Sequence, residues 1–192
     1  MNSGGLIIVG IGGTGVLKAS EIISVVLIRL GYDARQSEVH GMAQRGGSVI
    51  THLKYGGEVH SPLLAKGEAH YMIATEETEA LRYADYLSDR AIIILNTWRL
   101  NPVGIKPENY TGKSASLLRE NNFTVYEIPA SSIAVELNNS RVMNTVLIGA
   151  FSRFFFPDFE NLWKEVIAEV IPKKFIDLNL EAFQRGRNAV QI

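Results

Sequence analysis

The sequence predicts an α/β fold: a single three-layer α/β/α sandwich with a mixed, mostly parallel sheet and a Rossmann-like glycine loop after the first strand. Apolar segments typical of buried strands alternate with helical segments, an order that gives a parallel sheet covered by helices. The spacing Gly10-x-Gly12-x-x-Gly15 supplies the glycine loop. The chain has 192 residues, 46% of them hydrophobic, so residues 1–192 are predicted to form one domain with its own core.

The first thirty residues hold the clearest local signals. Residues 6–9 are an aliphatic run typical of a buried strand, and a helix is predicted to begin near Thr14. This helix is apolar on nearly every face, which predicts that it is buried, and Gly31 is suited to end it.

The next segments predict the antiparallel part of the sheet. Residues 33–39 form a second strand of mixed polarity, and residues 48–55 alternate well enough for a third. Gly56 and Gly57 predict a two-residue hairpin into residues 58–60, which makes the sheet mixed rather than purely parallel.

The rest of the chain alternates between strands and helices and then becomes helical. Further strands are predicted at residues 69–74, 91–95 and 124–128. Helices are predicted at residues 75–87, 114–121, 143–156, 159–171 and from about 176 to 184.

Charge and composition exclude several classes of function. A formal net charge of −1, with no cluster of Lys and Arg, argues against a nucleic-acid surface. The chain has no cysteine, so it cannot by itself ligate an iron–sulfur cluster, and His52, His60 and His70 lack metal-ligand spacing. Charged residues interrupt the apolar first helix, which argues against a membrane span. We expect a cytoplasmic protein with no metal site and no nucleic-acid or membrane partner.

The glycine loop is the first candidate binding site. Its candidate residues are Gly10, Gly12, Gly13, Thr14 and Gly15. Glycines let the backbone turn sharply, and the first N–H groups and positive dipole end of the following helix favour a phosphate or carboxylate. The alternative is a tight turn that binds nothing. A standard NAD or FAD site is not favoured, because the acidic residue that should close the second strand is missing: Asp33 stands at its start.

Residues 37–49, which we call the second loop, are the second candidate. Its charged and amide side chains are Glu38, His40, Gln44 and Arg45. Core packing does not explain such a cluster, and the loop is expected beside the glycine loop, where open α/β sheets bind ligands. Arg45 offers a planar fork for an oxyanion, while Gly46 and Gly47 allow close backbone approach. The alternative is a solvated loop whose charges pair internally.

These two loops together resemble the gamma-type domain of the 2-oxoacid:ferredoxin oxidoreductases. The resemblance rests on Gly10-x-Gly-Gly-x-Gly15 and on Ser-Glu-Val-His-Gly-Met-Ala-Gln-Arg-Gly-Gly-Ser-Val at residues 37–49. The second stretch is most similar to the small beta subunits of the indolepyruvate branch. The resemblance continues through Asn144, Leu147, Gly149, Ala150, Ala182, Phe183 and Gly186. Thr14 stands where the family usually has Gln, which leaves the role of the loop backbone intact.

The resemblance implies a division of labour. A larger partner subunit is expected to bind thiamine diphosphate and Mg²⁺ and to carry iron–sulfur clusters. Together the subunits would decarboxylate an aryl 2-oxoacid, pass electrons to ferredoxin and release an acyl-CoA. This chain would be inactive alone and would line a shared active-site cleft or the coenzyme A channel. A homodimer is left open, and the alternative function is a stand-alone nucleotide-binding α/β protein.

The resemblance also implies roles for particular residues. Those expected to contribute to the shared catalytic site are Glu38, His40, Gln44 and Arg45. Those expected to bind coenzyme A or another anion are Gly10, Gly12, Gly13, Thr14, Gly15, Gly46, Gly47 and Asn144. Apart from the resemblance, Arg141 and Asn144 lie one helical turn apart, which predicts that they face the same cleft, with a helix cap as the equal alternative for Asn144.

Overall fold

The fold is built on one mixed β-sheet. The computed structural model describes residues 3–40, 46–100 and 112–191. Within these ranges the strands are β1 (Gly4–Ile11), β2 (Asp33–His40), β3 (Ser48–Gly56), β4 (Ala69–Ala74), β5 (Leu87–Asn96) and β6 (Thr124–Ile128). The helices are α1 (Val16–Arg29), α2 (Glu77–Arg82), α3 (Ser114–Glu120), α4 (Ala130–Glu136), α5 (Met143–Phe151), α6 (Glu160–Val170) and α7 (Ile176–Asn188). The strand order is β2-β3-β1-β4-β5-β6.

One strand makes the sheet mixed. Strands β1, β4, β5 and β6 pair in parallel, whereas β3 pairs antiparallel with both β1 and β2. The predicted mixed, mostly parallel sheet is therefore confirmed. The predicted hairpin at Gly56 and Gly57 is wrong, because β3 has a neighbouring strand on each side and no free edge for residues 58–60. The antiparallel connection instead joins β2 to β3.

Helices cover both faces of the sheet, as the fold class predicts. Side chains of β1 alternate between two cores: Leu6 and Ile8 pack with α1 and α4–α7, and Ile7 and Val9 with α2 and α3. All four of these side chains are fully buried. Burial on both faces is what produces an uninterrupted aliphatic run in a central strand.

The helices differ from the predictions in four respects. Helix α1 is not buried all round, since Leu17 and Ile28 on its outer side are 53% and 56% exposed. Helix α2 ends at Arg82, because β5 already begins at Leu87. The short α4 was not predicted, and α5 ends at Phe151, short of the predicted end at residue 156. In the part of the chain that the structure describes, no helix has the length and apolar character needed to cross a membrane.

Two glycines allow α5 and α7 to pack with their backbones in contact. A Cβ atom on Gly149 would collide with the carbonyl oxygen of Phe183, and one on Gly186 would collide with that of Val146. Both belong to the last-third residues on which the family resemblance rests. Their role in this fold is close helix packing beneath the site.

Candidate functional site

The glycine loop joins β1 to α1 in a shape that depends on its glycines. Gly13 and Gly15 have φ angles of 95° and 85°, in the left-handed region that side chains disfavour. Gly15 directly precedes the first turn of α1. The 14-residue helix α1 therefore begins just beyond the carboxyl end of β1, and the positive end of its dipole lies at the glycine loop.

Thr75 packs the carboxyl end of β4 against this loop. A Cβ atom on Gly10 would collide with the Thr75 hydroxyl, so Gly10 is required for packing as well as for the turn. The hydroxyl of Thr14 lies 3.3 Å from that of Thr75 and donates to the carbonyl of Ile11 at 2.7 Å. Strands β1 and β4 are followed by helices on opposite faces of the sheet, which is the position where open α/β sheets bind ligands.

Two backbone hydrogen bonds join the glycine loop to the second loop. The Gly12 N–H donates to the carbonyl of Gly47 at 2.7 Å, and the Gly46 N–H donates to the carbonyl of Gly12 at 3.3 Å. Gly46 has a φ angle of 77°, so this turn also uses the left-handed region. The two candidate loops thus lie side by side. We call this pair of bonds the loop clasp.

Asn144 joins α5 to the glycine loop. Its side-chain Nδ2 donates to the carbonyl of Thr14, and a Cβ atom on Gly15 would lie only 2.7 Å from that nitrogen. The alternative role as a helix cap is wrong, because the turn before α5 is capped by Asn139, whose Oδ1 accepts from the Arg141 N–H at 3.1 Å. Asn144 is 7% exposed, and its Oδ1 is buried with no partner among the described residues.

A cavity of about 1060 Å³ opens beside these groups. Gly13, Thr14, Gly15, Arg141 and Asn144 line it together with parts of α1, α4, α5 and the segment before α7. Its polar and charged lining includes Lys18, Ser131, Glu136 and Thr145, and its apolar walls include Ile22, Val135, Ile148 and Phe175. The cavity therefore combines a helix N-terminus and two cationic side chains with an extended apolar wall.

The structure brings only some of the predicted site residues together. Glu38 and His40 lie on β2, which β3 separates from β1, and Glu38 does not line the cavity. Gly46 and Gly47 reach the glycine loop through the loop clasp. Gln44 and Arg45 lie outside the described residues. The roles assigned to these side chains stay predictions.

Asp33 has a structural role at the end of the sheet opposite the glycine loop. It pairs in register with Gly56, whereas the glycine loop lies at the other end of β3. Its carboxylate accepts from the Val59 N–H at 2.8 Å, and this bond, with the Arg35 guanidinium nearby, lowers the pKa of Asp33. A ribose contact by Asp33 is therefore not supported.

Asn96 is a site residue that sequence reasoning missed. It is fully buried at the end of β5, and its Nδ2 donates to the Thr75 carbonyl and the Ser131 hydroxyl, both at 2.9 Å. Its Oδ1 accepts from the Ser131 N–H at 3.2 Å. Asn96 thus fixes the end of β4 and the start of α4, where Ser131 lines the cavity. The sequence feature that could have identified Asn96 is its place directly after the apolar run of residues 91–95, where a polar side chain lies at the carboxyl edge of the sheet.

Buried carboxylates gather on the other side of the loops, at the start of α2. Glu76 caps the helix, accepting from the N–H groups of Thr78 at 2.7 Å and Glu79 at 3.0 Å. Glu77 pairs with Arg99 at 2.8 Å. Over the described ranges, no group of three His, Cys, Asp or Glu residues has a geometry suited to a metal ion.

Comparison with known proteins identifies the family of this chain. Residues 5–189 match the family model described as pyruvate ferredoxin/flavodoxin oxidoreductase. A protein named indolepyruvate oxidoreductase subunit IorB from Archaeoglobus fulgidus is 37% identical, covering 95% of this chain and 93% of its own. Its namesake from Thermococcus kodakarensis is 34% identical, covering 97% and 95%.

Solved structures show the same fold at lower identity. The pyruvate oxidoreductase subunit PORC from Thermotoga maritima superposes with a TM-score of 0.75 at 20% identity, covering 100% of this chain and 98% of that one. The 2-oxoglutarate:ferredoxin oxidoreductase from Magnetococcus marinus, solved with 2-oxoglutarate, coenzyme A and succinyl-CoA, gives 0.74 at 21% identity, covering 98% of this chain and 31% of the other. The chain belongs to the pyruvate ferredoxin/flavodoxin oxidoreductase family.

Proposed function

We propose that this chain is the small subunit of an indolepyruvate- or arylpyruvate-type 2-oxoacid:ferredoxin oxidoreductase. The observation that carries the proposal is similarity over nearly the whole length of both chains to proteins named indolepyruvate oxidoreductase subunit IorB. The complex would convert a 2-oxoacid and coenzyme A into acyl-CoA and CO₂. Two electrons would pass to ferredoxin.

A larger partner subunit would hold the redox and thiamine chemistry. This chain has no cysteine, and iron–sulfur clusters are held by cysteine thiolates. Thiamine diphosphate and its Mg²⁺ are assigned to the same partner. On this division the small subunit contributes to binding and positioning, and it has no turnover without the partner.

The cavity beside the glycine loop is the place where this chain would contact coenzyme A. The N-terminus of α1, Lys18 and Arg141 suit a phosphate, and the apolar wall suits the uncharged part of a long ligand. A volume of about 1060 Å³ is at the large end of the range for small-molecule sites. The Magnetococcus enzyme, which shares this fold, was solved with coenzyme A bound.

Reconstitution tests this proposal directly. The chain is co-expressed with the large cysteine-rich thiamine subunit of the same source, purified through a tag on the small subunit, and assayed with an arylpyruvate, coenzyme A and a viologen dye as electron acceptor. We expect co-purification and turnover only when both chains are present. Turnover by the small chain alone, or failure of the two chains to associate, contradicts the proposal.

A further inference from the structure

A carboxylate on α2 holds the first residue of β3. The Ser48 hydroxyl donates to Glu79 Oε2 and lies 2.9 Å from the Tyr83 hydroxyl. The other carboxylate oxygen, Oε1, accepts from Arg82 Nε at 3.0 Å. The Glu79 side chain is only 8% exposed, so these bonds form away from bulk water, where they are stronger.

Ser48 is the covalent neighbour of the loop clasp. Gly46 and Gly47, which make the two backbone bonds to Gly12, have no side chains with which to anchor themselves. Ser48 follows them directly, and its hydroxyl is tied to α2. The contact from Glu79 through Ser48 therefore fixes the end of the second loop that touches the glycine loop.

Helix α2 does not need the Glu79 side chain for its own formation. Glu76 already accepts the N–H groups of Thr78 and Glu79, which satisfies the first turn. Burying a carboxylate costs free energy that an apolar residue at the same position would avoid. The hydrogen bond to Ser48 explains why position 79 on α2 holds a carboxylate.

We propose that Glu79 is a positioning residue of the coenzyme A site: through Ser48 it holds Gly46 and Gly47 on Gly12 and so fixes the shape of the glycine loop. Glu79 itself does not contact the ligand. The effect on coenzyme A rests on the proposed function, whereas the effect on the loop clasp does not.

Amide hydrogen exchange measures the clasp without any assay of activity. In Ser48→Ala and Glu79→Ala we expect the Gly12 N–H to exchange at least about threefold faster than in the wild-type chain, in line with one lost hydrogen bond. Amides in α5 and α7 should keep their wild-type rates. Glu79→Gln, which retains an oxygen acceptor for Ser48, and Ser48→Thr, which retains the hydroxyl, should restore slow exchange at Gly12.

Ser88→Ala is the matched control. Ser88 also lies in the sheet, and its hydroxyl donates to the Ala69 carbonyl at 3.2 Å, away from both loops. It should leave the exchange of Gly12 unchanged. Should Glu79→Ala not fold, Ser48→Ala tests the same contact by removing a single oxygen atom. Wild-type exchange at Gly12 in Ser48→Ala, or in a folded Glu79→Ala, overturns the proposal.

Kinetics of the reconstituted complex connects the clasp to the ligand. In Ser48→Ala and Glu79→Ala we expect the KM for coenzyme A to rise at least about threefold while kcat changes less, with recovery in Glu79→Gln. Faster exchange at Gly12 with an unchanged KM supports the anchoring by Glu79 and overturns the placement of coenzyme A at the glycine loop. The two parts of the argument are thereby separated.

Discussion

Asn144 is the side chain through which α5 holds the glycine loop. Its Nδ2 group donates to the carbonyl of Thr14, and Gly15 leaves the space that the amide occupies. Thr14 and Gly15 also line the cavity. The geometry of the peptide between them therefore depends on a donor supplied from a distant part of the sequence.

Replacement of Asn144 by Asp should give a pH-dependent defect. The shape is conserved, but an ionised carboxylate would face the Thr14 carbonyl without a proton to donate. Burial raises the pKa of the introduced carboxyl group above about 3.9, its value in the unfolded chain. The folded state then holds more protons than the unfolded state, so stability falls as pH rises through the folded pKa. We expect a loss relative to wild type of about 2 kcal/mol at pH 7.5 and much less at pH 4.5, measured by urea unfolding.

Asn188→Asp is the control for this change. Asn188 is exposed at the end of α7, so the same substitution there should alter the free energy of unfolding by less than about 0.5 kcal/mol. An Asn144→Asp protein as stable as wild type at both pH values would show that the bond to Thr14 contributes little to the fold. An equal loss at both pH values would show that protonation of the introduced carboxyl group does not restore the bond.

Helices α5 and α7 pack with their backbones in direct contact. Gly149 faces the backbone of α7 and Gly186 faces that of α5, each where a Cβ atom would strike a carbonyl oxygen. Backbone atoms in two helices cannot move aside as a flexible side chain does. Asn144 lies at the start of α5. The packing of α5 on α7 therefore also determines where the Asn144 side-chain amide meets the glycine loop.

Gly186→Ala should therefore destabilise the protein although alanine favours helices. The added methyl group forces α7 away from Val146, and overpacking of this kind costs roughly 1–3 kcal/mol. Thermal or urea unfolding of the variant measures the loss. Gly57→Ala is the control, because a Cβ atom there meets nothing within 4 Å, and its stability should remain close to wild type. A Gly186→Ala protein as stable as wild type would mean that the helices separate without penalty.

The limits of sequence reasoning follow from the range of the contacts. The turn that contains Gly13 and Gly15 was predicted from the sequence, because the residues that form a turn and start a helix are close neighbours in the chain. The partners Asn96–Ser131 and Ser48–Glu79 lie 35 and 31 residues apart, and no local pattern connects them. The wrong prediction of a hairpin at Gly56 has the same origin. The two glycines are typical of a hairpin turn, but the strands that pair with β3 are β1 and β2, which precede it in the chain.

At the scale of the whole molecule, the feature that bears on the pH dependence of stability is a buried histidine. His52 lies on β3, is 4% exposed, and belongs to the side of the sheet covered by α2 and α3. Its Nδ1 accepts from the Leu64 N–H at 3.3 Å, and its ring meets Tyr86 edge-on at 5.3 Å. Burial lowers the pKa of His52, so protonation of this ring is less favourable in the folded protein than in the unfolded chain.

The stability of the whole chain should consequently fall on mild acidification. Below about pH 6.5 the unfolded chain binds a proton at this histidine that the folded chain does not, until the pH reaches the lowered folded pKa. Over that window one proton lowers the free energy of unfolding by up to about 1.4 kcal/mol per pH unit. His52→Gln, which keeps an acceptor for Leu64 and does not titrate, should show a shallower dependence between pH 7 and pH 5 in urea unfolding. Identical pH profiles for both proteins would rule out His52 as the source.

The loop clasp has a consequence for how the sequence of the second loop can vary. Both of its hydrogen bonds join main-chain atoms of Gly12, Gly46 and Gly47. Both bonds use main-chain donors and acceptors, so replacing a side chain of the second loop other than that of Ser48 removes neither of them. The chemistry of the segment beside the glycine loop can therefore change during evolution independently of its backbone anchoring.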